Sequence, residues 1–394
     1  MTVSSPYHNI TVLGASYAGL GVAHGLLKAI PSLESQTGKK YKVTIIANSD
    51  RFWFVPGAPR AMLKPYPTSI DDSFPLIKPG FAQYPSDSWE FIHAQVTGLD
   101  PNRNQVSIDP LDSNEKKTES TSSFHYDTLI IAIGSTGDDP LYSLQGGYLK
   151  TYNAYKEVHT RLPSANSVMV VGGGAAGTET AGELGHLYGK TTSSPKDITI
   201  LSGTSRLLAG LRPAIGARAE EILNSKGVKT IHNVRVQSQK KLADGKTDVT
   251  LTDGSTRTVD LLFVATGRVA ASSFLPKDLL DDKGQVITDE YLRVRNVASA
   301  YATGDIVSIA PMGLFSMFAL VPTTVHNVIA DLGGREKAKE WKPWTTKESQ
   351  LVPIGPEAGV GALFGWWLPS FAVKMIKSKH FFFPNVPKIV NGTA

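Results

Sequence analysis

Short apolar runs alternate with helix-like stretches along the first part of the chain, the rhythm of a parallel sheet crossed by helices. Residues 8–14 read as a buried strand and 17–30 as a helix ended by Pro31. A polar loop from Ser32 to Lys40 leads to a second strand at 42–47. Residues 50–80 are rich in proline and aromatics, the composition of irregular, covering structure rather than regular helix. Strands follow at 89–100 and 105–109, then a charged, hairpin-like stretch at 112–123. An apolar strand within 126–135 ends on Gly134.

The plan then repeats. A strand at 168–171, a helix at 175–188 and a strand at 197–201 are followed by a helix at 213–226 that closes on Gly227. Further strands are predicted at 228–236, 247–251 and 261–265, the last running into Thr266-Gly267-Arg268. After Asp289 the pattern returns to that of the first unit, with Ala300-Tyr301-Ala302-Thr303-Gly304-Asp305 and a helix near 315–332. The tail from Arg335 carries Trp341, Trp344, Trp366, Trp367 and the run Phe381-Phe382-Phe383, and reads as a small third unit.

Two glycine-rich stretches stand where an apolar run hands over to a helix. The first is Gly14-Ala15-Ser16-Tyr17-Ala18-Gly19 and the second is Gly172-Gly173-Gly174-Ala175-Ala176-Gly177. In such a turn the first glycine permits the tight bend, the second lets backbone approach a pyrophosphate, and the third lets the helix pack on its strand. Gly14 and Gly19 fill the outer roles of the first copy, with small Ser16 between them. Gly172, Gly174 and Gly177 fill all three in the second. A diphosphate then rests on the unpaired N–H groups of the helix start, where the dipole favours negative charge. One such motif is weak evidence. Two in tandem predict two bound dinucleotides, and the chemistry that needs two is electron transfer between a nicotinamide and a flavin. The fold class is therefore α/β, with two Rossmann-like dinucleotide-binding domains, the second inserted in the first. The expected limits are 1–145 with 281–335, then 146–280, and a C-terminal domain at 336–394.

A carboxylate at the end of the second strand of each unit would hold an adenosine ribose. The first unit ends Ile46-Ala47-Asn48, which leaves Asn48, backbone groups, or Asp50 through a shifted turn. The second ends Leu201-Ser202-Gly203-Thr204-Ser205-Arg206. There Ser202 with Arg206 points to NADPH, or to indifference between the two nicotinamides.

With Ala302-Thr303-Gly304-Asp305 and the strand ending Ala265-Thr266-Gly267-Arg268, the chain resembles the FAD- and NAD(P)-binding two-dinucleotide flavoproteins over nearly its whole length. Phe52-Trp53-Phe54-Val55-Pro56-Gly57-Ala58-Pro59-Arg60-Ala61 and the tail Gly365-Trp366-Trp367-Leu368-Pro369-Ser370-Phe371 look like the apoptosis-inducing-factor-like group that includes ferroptosis suppressor protein. The resemblance implies FAD and NAD(P)H as cofactors. It also implies Asp305 on the ribityl chain, Arg60 against the flavin, and Val96 holding adenine through strand backbone. Glu179 would lie at the nicotinamide side, a helix-surface ion pair being the alternative. Pro322 and Thr323 would stand near the flavin ring at the N-terminus of the last helix, with its dipole on the pyrimidine end. Gly134 and Gly267, each ending a strand, join the cofactor-binding set.

Composition narrows this further. The 394-residue chain has no cysteine, so it lacks disulfides, thiolate metal sites and a redox-active pair, and a disulfide reductase is not expected. Its nine histidines show no paired ligand spacing, and no metal site is predicted. A net charge of +5 suits anionic cofactors or a membrane surface as well as nucleic acid, but without a nucleic-acid motif such a partner is not expected. The start, Met1-Thr2-Val3-Ser4-Ser5-Pro6, has no basic or apolar leader pattern and no glycine at position 2, so export and N-myristoylation are not predicted. No apolar run reaches the ~20 residues of a spanning helix. A cytoplasmic protein is expected. Phe381, Phe382 and Phe383 read as a domain-interface plug, while Lys374, Lys377 and Lys379 beside them leave a peripheral membrane contact open. His24 reads as packed or solvent-facing, and His326 as a minor candidate for an acceptor pocket.

The expected activity is an FAD-dependent NAD(P)H oxidoreductase that delivers electrons to a quinone-like or other small acceptor. Hydride transfer needs no side-chain acid or nucleophile, so no catalytic residue is assigned. The rivals are a flavin oxidoreductase for one metabolite of a biosynthetic pathway and a flavin-carrying signalling protein.

Overall fold

A computed structural model describes residues 6–393; the five before them, on which the leader reading falls, lie outside the described residues. The first unit opens with β1 (Tyr7–Leu13), α1 (Tyr17–Thr37) and β2 (Lys40–Ala47). An irregular stretch follows, holding α2 (Ala58–Ala61) and short 3-10 turns. Next come β3 (Trp89–Asp100), β4 (Gln105–Pro110), β5 (Ser122–His125), β6 (Thr128–Ile131) and the two-residue β7 (Ser135–Thr136). The chain then builds a second sheet. Its elements are α3 (Leu149–Arg161), β8 (Ser167–Val171), α4 (Ala175–Tyr188), β9 (Asp197–Leu201), α5 (Pro213–Ser225) and β10 (Val228–Ile231). They continue with β11 (Val236–Lys241), β12 (Thr247–Leu251), β13 (Thr256–Val259) and β14 (Leu261–Val264). A short β15 (Val269–Ala270) pairs back on β7, and β16 (Ala300–Ala302) then returns to the first sheet beside β6.

The seven-stranded sheet runs β16-β6-β1-β2-β3-β4-β5, parallel from β16 through β3 and antiparallel at β4 and β5. The second sheet is all parallel, in the order β10-β9-β8-β14, with β11-β12-β13 as an antiparallel ribbon beside it. Strands such as β6, Thr128-Leu129-Ile130-Ile131, are buried at every position, as parallel strands covered on both faces must be. The last helix of the first unit, α6 (Leu314–Asp331), lies along α1. Gly21 and Gly25 let it approach: a Cβ on either would lie 2.8 Å and 2.7 Å from methyls of Val321 and Val325. The C-terminal unit is an antiparallel sheet of β17 (Gln350–Pro353), β18 (Gly359–Leu363) and β19 (Trp366–Trp367), followed by α7 (Ser370–Val373) and α8 (Val386–Val390).

Three expectations need correction. Helix α1 does not end at Pro31 but carries it inside and closes at Thr37 on left-handed Gly38, whose N–H donates to the Glu34 carbonyl at 2.9 Å. An interior proline costs roughly 3 kcal/mol. Here its ring faces solvent while the continued helix buries Leu33, a gain of about 1.5–3 kcal/mol, and adds the Gly38 cap. The strand expected over 228–236 is broken by left-handed Asn233 into β10 and β11, which belong to different sheets. Pro322 and Thr323 do not start the last helix. Helix α6 begins at Leu314, after Gly313 at φ 133°, and Pro322 lies inside it on an exposed face.

His24 is packed. Its ring stacks on Phe81 at 4.2 Å, its Nε2 donates to the Val390 carbonyl at 2.9 Å, and Nδ1 accepts from the Tyr84 hydroxyl at 3.0 Å. Burial pushes its pKa from the ordinary 6.5 down to about 4, so the folded chain keeps it neutral. The unfolded chain takes the proton near 6.5, so this contribution is complete above that pH and is lost as pH falls from about 6.5 to about 4. His24→Phe keeps the stack and removes the titration. We expect melting temperature to fall less between pH 7 and pH 5 in this variant than in the parent protein. Equal falls would refute the assignment.

Candidate active site

Both glycine turns have one geometry. Gly14, at φ 98°, leaves room for only 2.5 Å between a hypothetical Cβ and the Ala132 carbonyl oxygen, and a Cβ at Gly19 would lie 1.9 Å from the Gly14 oxygen. Gly172, at φ 122°, faces the Ala265 oxygen at 2.5 Å, and Gly177 faces the Gly172 oxygen at 1.9 Å. Any side chain there would push the helix off its strand. Gly174 is different: a Cβ would meet nothing within 4 Å, so this glycine opens space at the start of α4. Neither Ser16 nor Gly174, the N-cap residues of α1 and α4, caps its helix with a side chain, and neither first turn holds an acid. The helix starts therefore offer N–H groups and positive potential to an anion, which fits the diphosphate of a dinucleotide in each turn.

A cavity of about 420 Å³ opens above the first turn. Gly14, Ala15, Ser16, Tyr17 and Ala18 form its floor, while Gly19 lies beneath as a packing residue. Asn48, Val96, Gly134 and Asp305 also line it, whereas Asp50 does not. Asn48 donates its side-chain amide to Gln95 Oε1 at 3.0 Å, which fixes both amides at the cavity edge. Asp305 accepts the Gly313 N–H on Oδ1 at 2.8 Å and the Ser135 hydroxyl on Oδ2 at 2.9 Å, with the Arg268 guanidinium 3.4 Å away. Gly313 and Leu314, also on the wall, bring the start of α6 to the place the sequence reading gave to Pro322 and Thr323. Arg268 and Gly313 are not marked as site residues by local sequence: Arg268 directly follows Ala265-Thr266-Gly267, but only the fold brings it to Asp305.

Arg60 is the main displacement. It does not line the cavity but is sealed from solvent, donating from Nε and Nη2 to the two Glu183 oxygens at 2.8 and 2.7 Å. Two more of its donors reach the Lys379 and Ser378 carbonyls at 2.9 and 2.7 Å, and Phe381 packs 4.6 Å from its centre. The reason is charge: Glu183 is buried on α4, and only a buried cation with its donors filled can face it. Glu179, one turn earlier, pairs with Lys377 at 2.6 Å instead of lying on the helix surface. Burial pushes the Glu179 carboxyl above its ordinary range, and Lys377 opposes that rise.

In the second unit Gly172, Gly174, Ala175, Ala176 and Gly177 form the turn and first residues of α4, and Gly267 follows β14 at its side. Ser202 is buried next to the turn, donating to the Arg206 carbonyl at 3.0 Å. Arg206 turns inward, donating to the Ala209 and Leu211 carbonyls at 2.7 and 3.0 Å. His326 is tied to the tail through the Lys337 carbonyl at 2.9 Å. Among the described residues no group of His, Cys, Asp and Glu has the arrangement of a metal site.

Two glycine turns, each at the end of a parallel strand in its own sheet, with Thr-Gly-Asp closing the first, define a flavoprotein with two dinucleotide sites. The chain belongs to the pyridine nucleotide-disulphide oxidoreductase family, whose model matches residues 8–330. Its members use FAD and NAD(P)H, and this chain is an NAD(P)H-dependent flavoprotein oxidoreductase of the apoptosis-inducing-factor-like group. It is 35% identical to oxidoreductase phnG of Penicillium herquei over 95% of this chain and 93% of that protein. It is also 31% identical to ferroptosis suppressor protein 1 of Xenopus tropicalis, over 74% and 76% of the two chains. The sulfide:quinone oxidoreductase of Aquifex aeolicus shares the fold at a TM-score of 0.72 and 16% identity, over 98% of this chain and 92% of that one.

Asp305→Ala should lose FAD. A charge-assisted hydrogen bond contributes about 1.5–3 kcal/mol, or roughly tenfold to over a hundredfold in affinity. The ratio of flavin to protein absorbance after desalting reads the loss, with circular dichroism as the control on folding. Full flavin retention would remove Asp305 from the site.

Proposed function

We propose an FAD-dependent NAD(P)H:acceptor oxidoreductase whose acceptor is a quinone-like or other small aromatic molecule. Helix α6 carries the proposal. Leu314 and Met317 wall the first cavity, and from the same turns Phe315 and Phe318 enter a ring cluster with Trp344 and Phe364. Phe315 stacks on Trp344 at 5.7 Å, Trp344 meets Phe364 edge-on at 4.8 Å, and Phe318 remains 52% exposed. An aromatic, solvent-open face thus begins where the cavity wall ends, which suits a flat apolar guest. With no cysteine in the chain, electrons do not leave through a dithiol of its own, and a small molecule is the simpler recipient.

Bound FAD supplies a hydride acceptor that releases electrons in pairs or singly. The chain's part is placement: the turns at Gly14 and Gly174 receive the diphosphates, and Asp305, held by Ser135, Gly313 and Arg268, offers a fixed carboxylate to the first cofactor. Glu179 on α4, held by Lys377 from the C-terminal segment, would stand on the nicotinamide side of the second. Domain limits of 1–145 with 281–335, 146–280 and 336–394 are consistent with β16 rejoining β6 and with β8 to β14 forming sheets of their own. Anaerobic mixing with NADH or NADPH should bleach the flavin, and added quinone should restore its colour within the enzyme's turnover time. Recovery only with one member of a metabolite panel would favour a biosynthetic oxidoreductase over this reading. A long-lived reduced complex with every acceptor would favour a signalling role.

We further propose that the C-terminal unit rests on a lipid surface. Trp366, Phe371 and Met375 are 77%, 67% and 76% exposed, and Trp367 and Ile376 stand beside them. Lys379, three residues after Ile376, is exposed as well, so apolar and basic residues alternate along one short stretch, as suits an interfacial contact. The contact is peripheral. Helix α6 has the length and apolarity of a span, but it is committed to α1 and to the cavity. Phe381 and Phe383 point inward, supporting the plug reading for that run. At about 1.5–3 kcal/mol for each large apolar side chain fully buried, replacing Trp366, Phe371 and Met375 together with serine should cut vesicle binding by at least tenfold. Co-sedimentation with phosphatidylcholine–phosphatidylserine vesicles measures this. Equal sedimentation of parent and variant would reject the lipid surface.

A further inference from the structure

The second glycine turn leaves open which nicotinamide dinucleotide is taken. Where an acid would grip the ribose diol of NADH, β9 ends in Leu201-Ser202-Gly203-Thr204-Ser205, with no carboxylate before Arg212. The arginine nearest in sequence, Arg206, has its Nη2 on two carbonyls of its own loop, which turns the side chain inward. The hydroxyls of Ser202 and Thr204 are likewise turned on the Arg206 carbonyl, at 3.0 and 2.8 Å. This loop is closed on itself and is locked to the turn by the Leu208 N–H, which donates to the Gly173 carbonyl at 2.7 Å.

A different arginine stands over it. The segment between β10 and β11 is laced to the loop: Asn233 N–H donates to the Thr204 carbonyl at 3.1 Å, and Val234 N–H to the Ser202 carbonyl at 3.2 Å. This places Arg235 flat against Gly203, where a Cβ would lie 3.1 Å from Arg235 Nε and 3.5 Å from Cζ. The backbone of Arg235 is pinned by Thr252, whose hydroxyl accepts the Arg235 N–H at 3.0 Å, and whose own N–H donates to the Arg235 carbonyl. Arg235 is exposed, and among the described residues no carboxylate lies within ion-pair distance of the guanidinium. Gly203 matters because any side chain there would displace the guanidinium. An exposed, backbone-anchored arginine with a planar donor fork, beside the ribose end of a dinucleotide turn, matches a phosphate monoester.

We propose that Arg235, not Arg206, grips the 2′-phosphate of NADPH and makes NADPH the favoured reductant. The inference rests on the second turn holding the adenosine half of NAD(P)H. Its test separates the two claims by using nucleotide fragments in place of turnover. Calorimetric titration of the purified flavoprotein with adenosine 2′,5′-bisphosphate and with 5′-AMP gives a ratio of dissociation constants. That ratio should favour the bisphosphate by about tenfold or more, the worth of one charge-assisted contact. In Arg235→Gln it should fall towards one while AMP affinity holds. Arg235→Lys should keep part of the preference, as a point charge without the fork. Arg206→Gln, which frees two loop carbonyls, should weaken both fragments alike.

A ratio near one in the parent protein, a ratio that survives Arg235→Gln, or a selective loss in Arg206→Gln would each overturn the assignment. Failure of both fragments to bind a protein that retains its flavin would instead overturn the premise that this turn holds adenosine.

Discussion

The sealed ion pair between Arg60 and Glu183 is the joint on which the arrangement of this molecule depends. Taking two charges out of water costs several kcal/mol for each ion and is offset only when geometry is good and the remaining donors are filled. Here both carboxylate oxygens are met by the guanidinium, and two further donors end on the Ser378 and Lys379 carbonyls. Three distant parts of the chain are thereby needed at once: the irregular stretch before β3, the second-unit helix α4, and the segment after α7. Withdrawing either charged partner would leave a buried charge unanswered, a penalty of about 3–5 kcal/mol, and withdrawing the segment after α7 would strip the guanidinium of its two carbonyl acceptors. The joint is not simply adhesive, since an apolar pair could fill the space as well. It fixes which surfaces meet.

Helix α4 transmits that constraint to the nucleotide. Its first turn is the glycine cradle, and Glu179 and Glu183 follow on one face, one turn apart. Like charges so placed repel, and burial makes the repulsion worse. Lys377 and Arg60 cancel it, leaving a four-group cluster of zero net charge with all its members tied to the C-terminal segment. The orientation of α4, and hence the aim of its N–H groups, is set partly by a segment nearly two hundred residues further on: Lys377 and Glu179 are 198 positions apart. Helix α6 does the same for the first cavity, with its start fixed by the bond from Gly313 to Asp305.

These two levels differ in how plainly the sequence announces them. The glycine turns could be read because their requirement is local. A carbonyl oxygen within 2 Å of a would-be Cβ excludes every other residue, so the pattern appears in consecutive letters. The strands of the parallel sheets were legible for a similar reason, as unbroken apolar runs buried on both faces. Arg60 could not be placed, since its partner lies 123 positions away and nothing near it in sequence signals a buried acid. Arg206 stands out by proximity along the chain, whereas the inward turn of its Nη2 onto two loop carbonyls shows only in the fold. The prolines misled in a systematic way. A missing N–H ends a helix when both sides compete equally, but Pro31 and Pro322 lie on exposed faces, where continued burial on the opposite side prevails.

The C-terminal segment reconciles two demands that one run of aromatics cannot meet together. Phe381 and Phe383 are buried against Arg60, Tyr66 and Phe54, and with them the joint is kept dry. Phe371, Met375 and Ile376 face outward only a few residues earlier. Between the two sets Lys377 turns in to Glu179 and Lys379 stays out, while its carbonyl serves Arg60. A short π-helix over Lys374–Ser378 makes this switch of faces feasible, because its i→i+5 bond, from the Lys379 N–H to the Lys374 carbonyl, widens the turn and moves the side chains out of the register of a normal helix. The same widening brings Lys377 onto α4 without withdrawing Met375 and Ile376 from the surface. One stretch of chain therefore seals the interior around the second-unit helix and shapes the outermost apolar face, and neither role can be altered without moving the other.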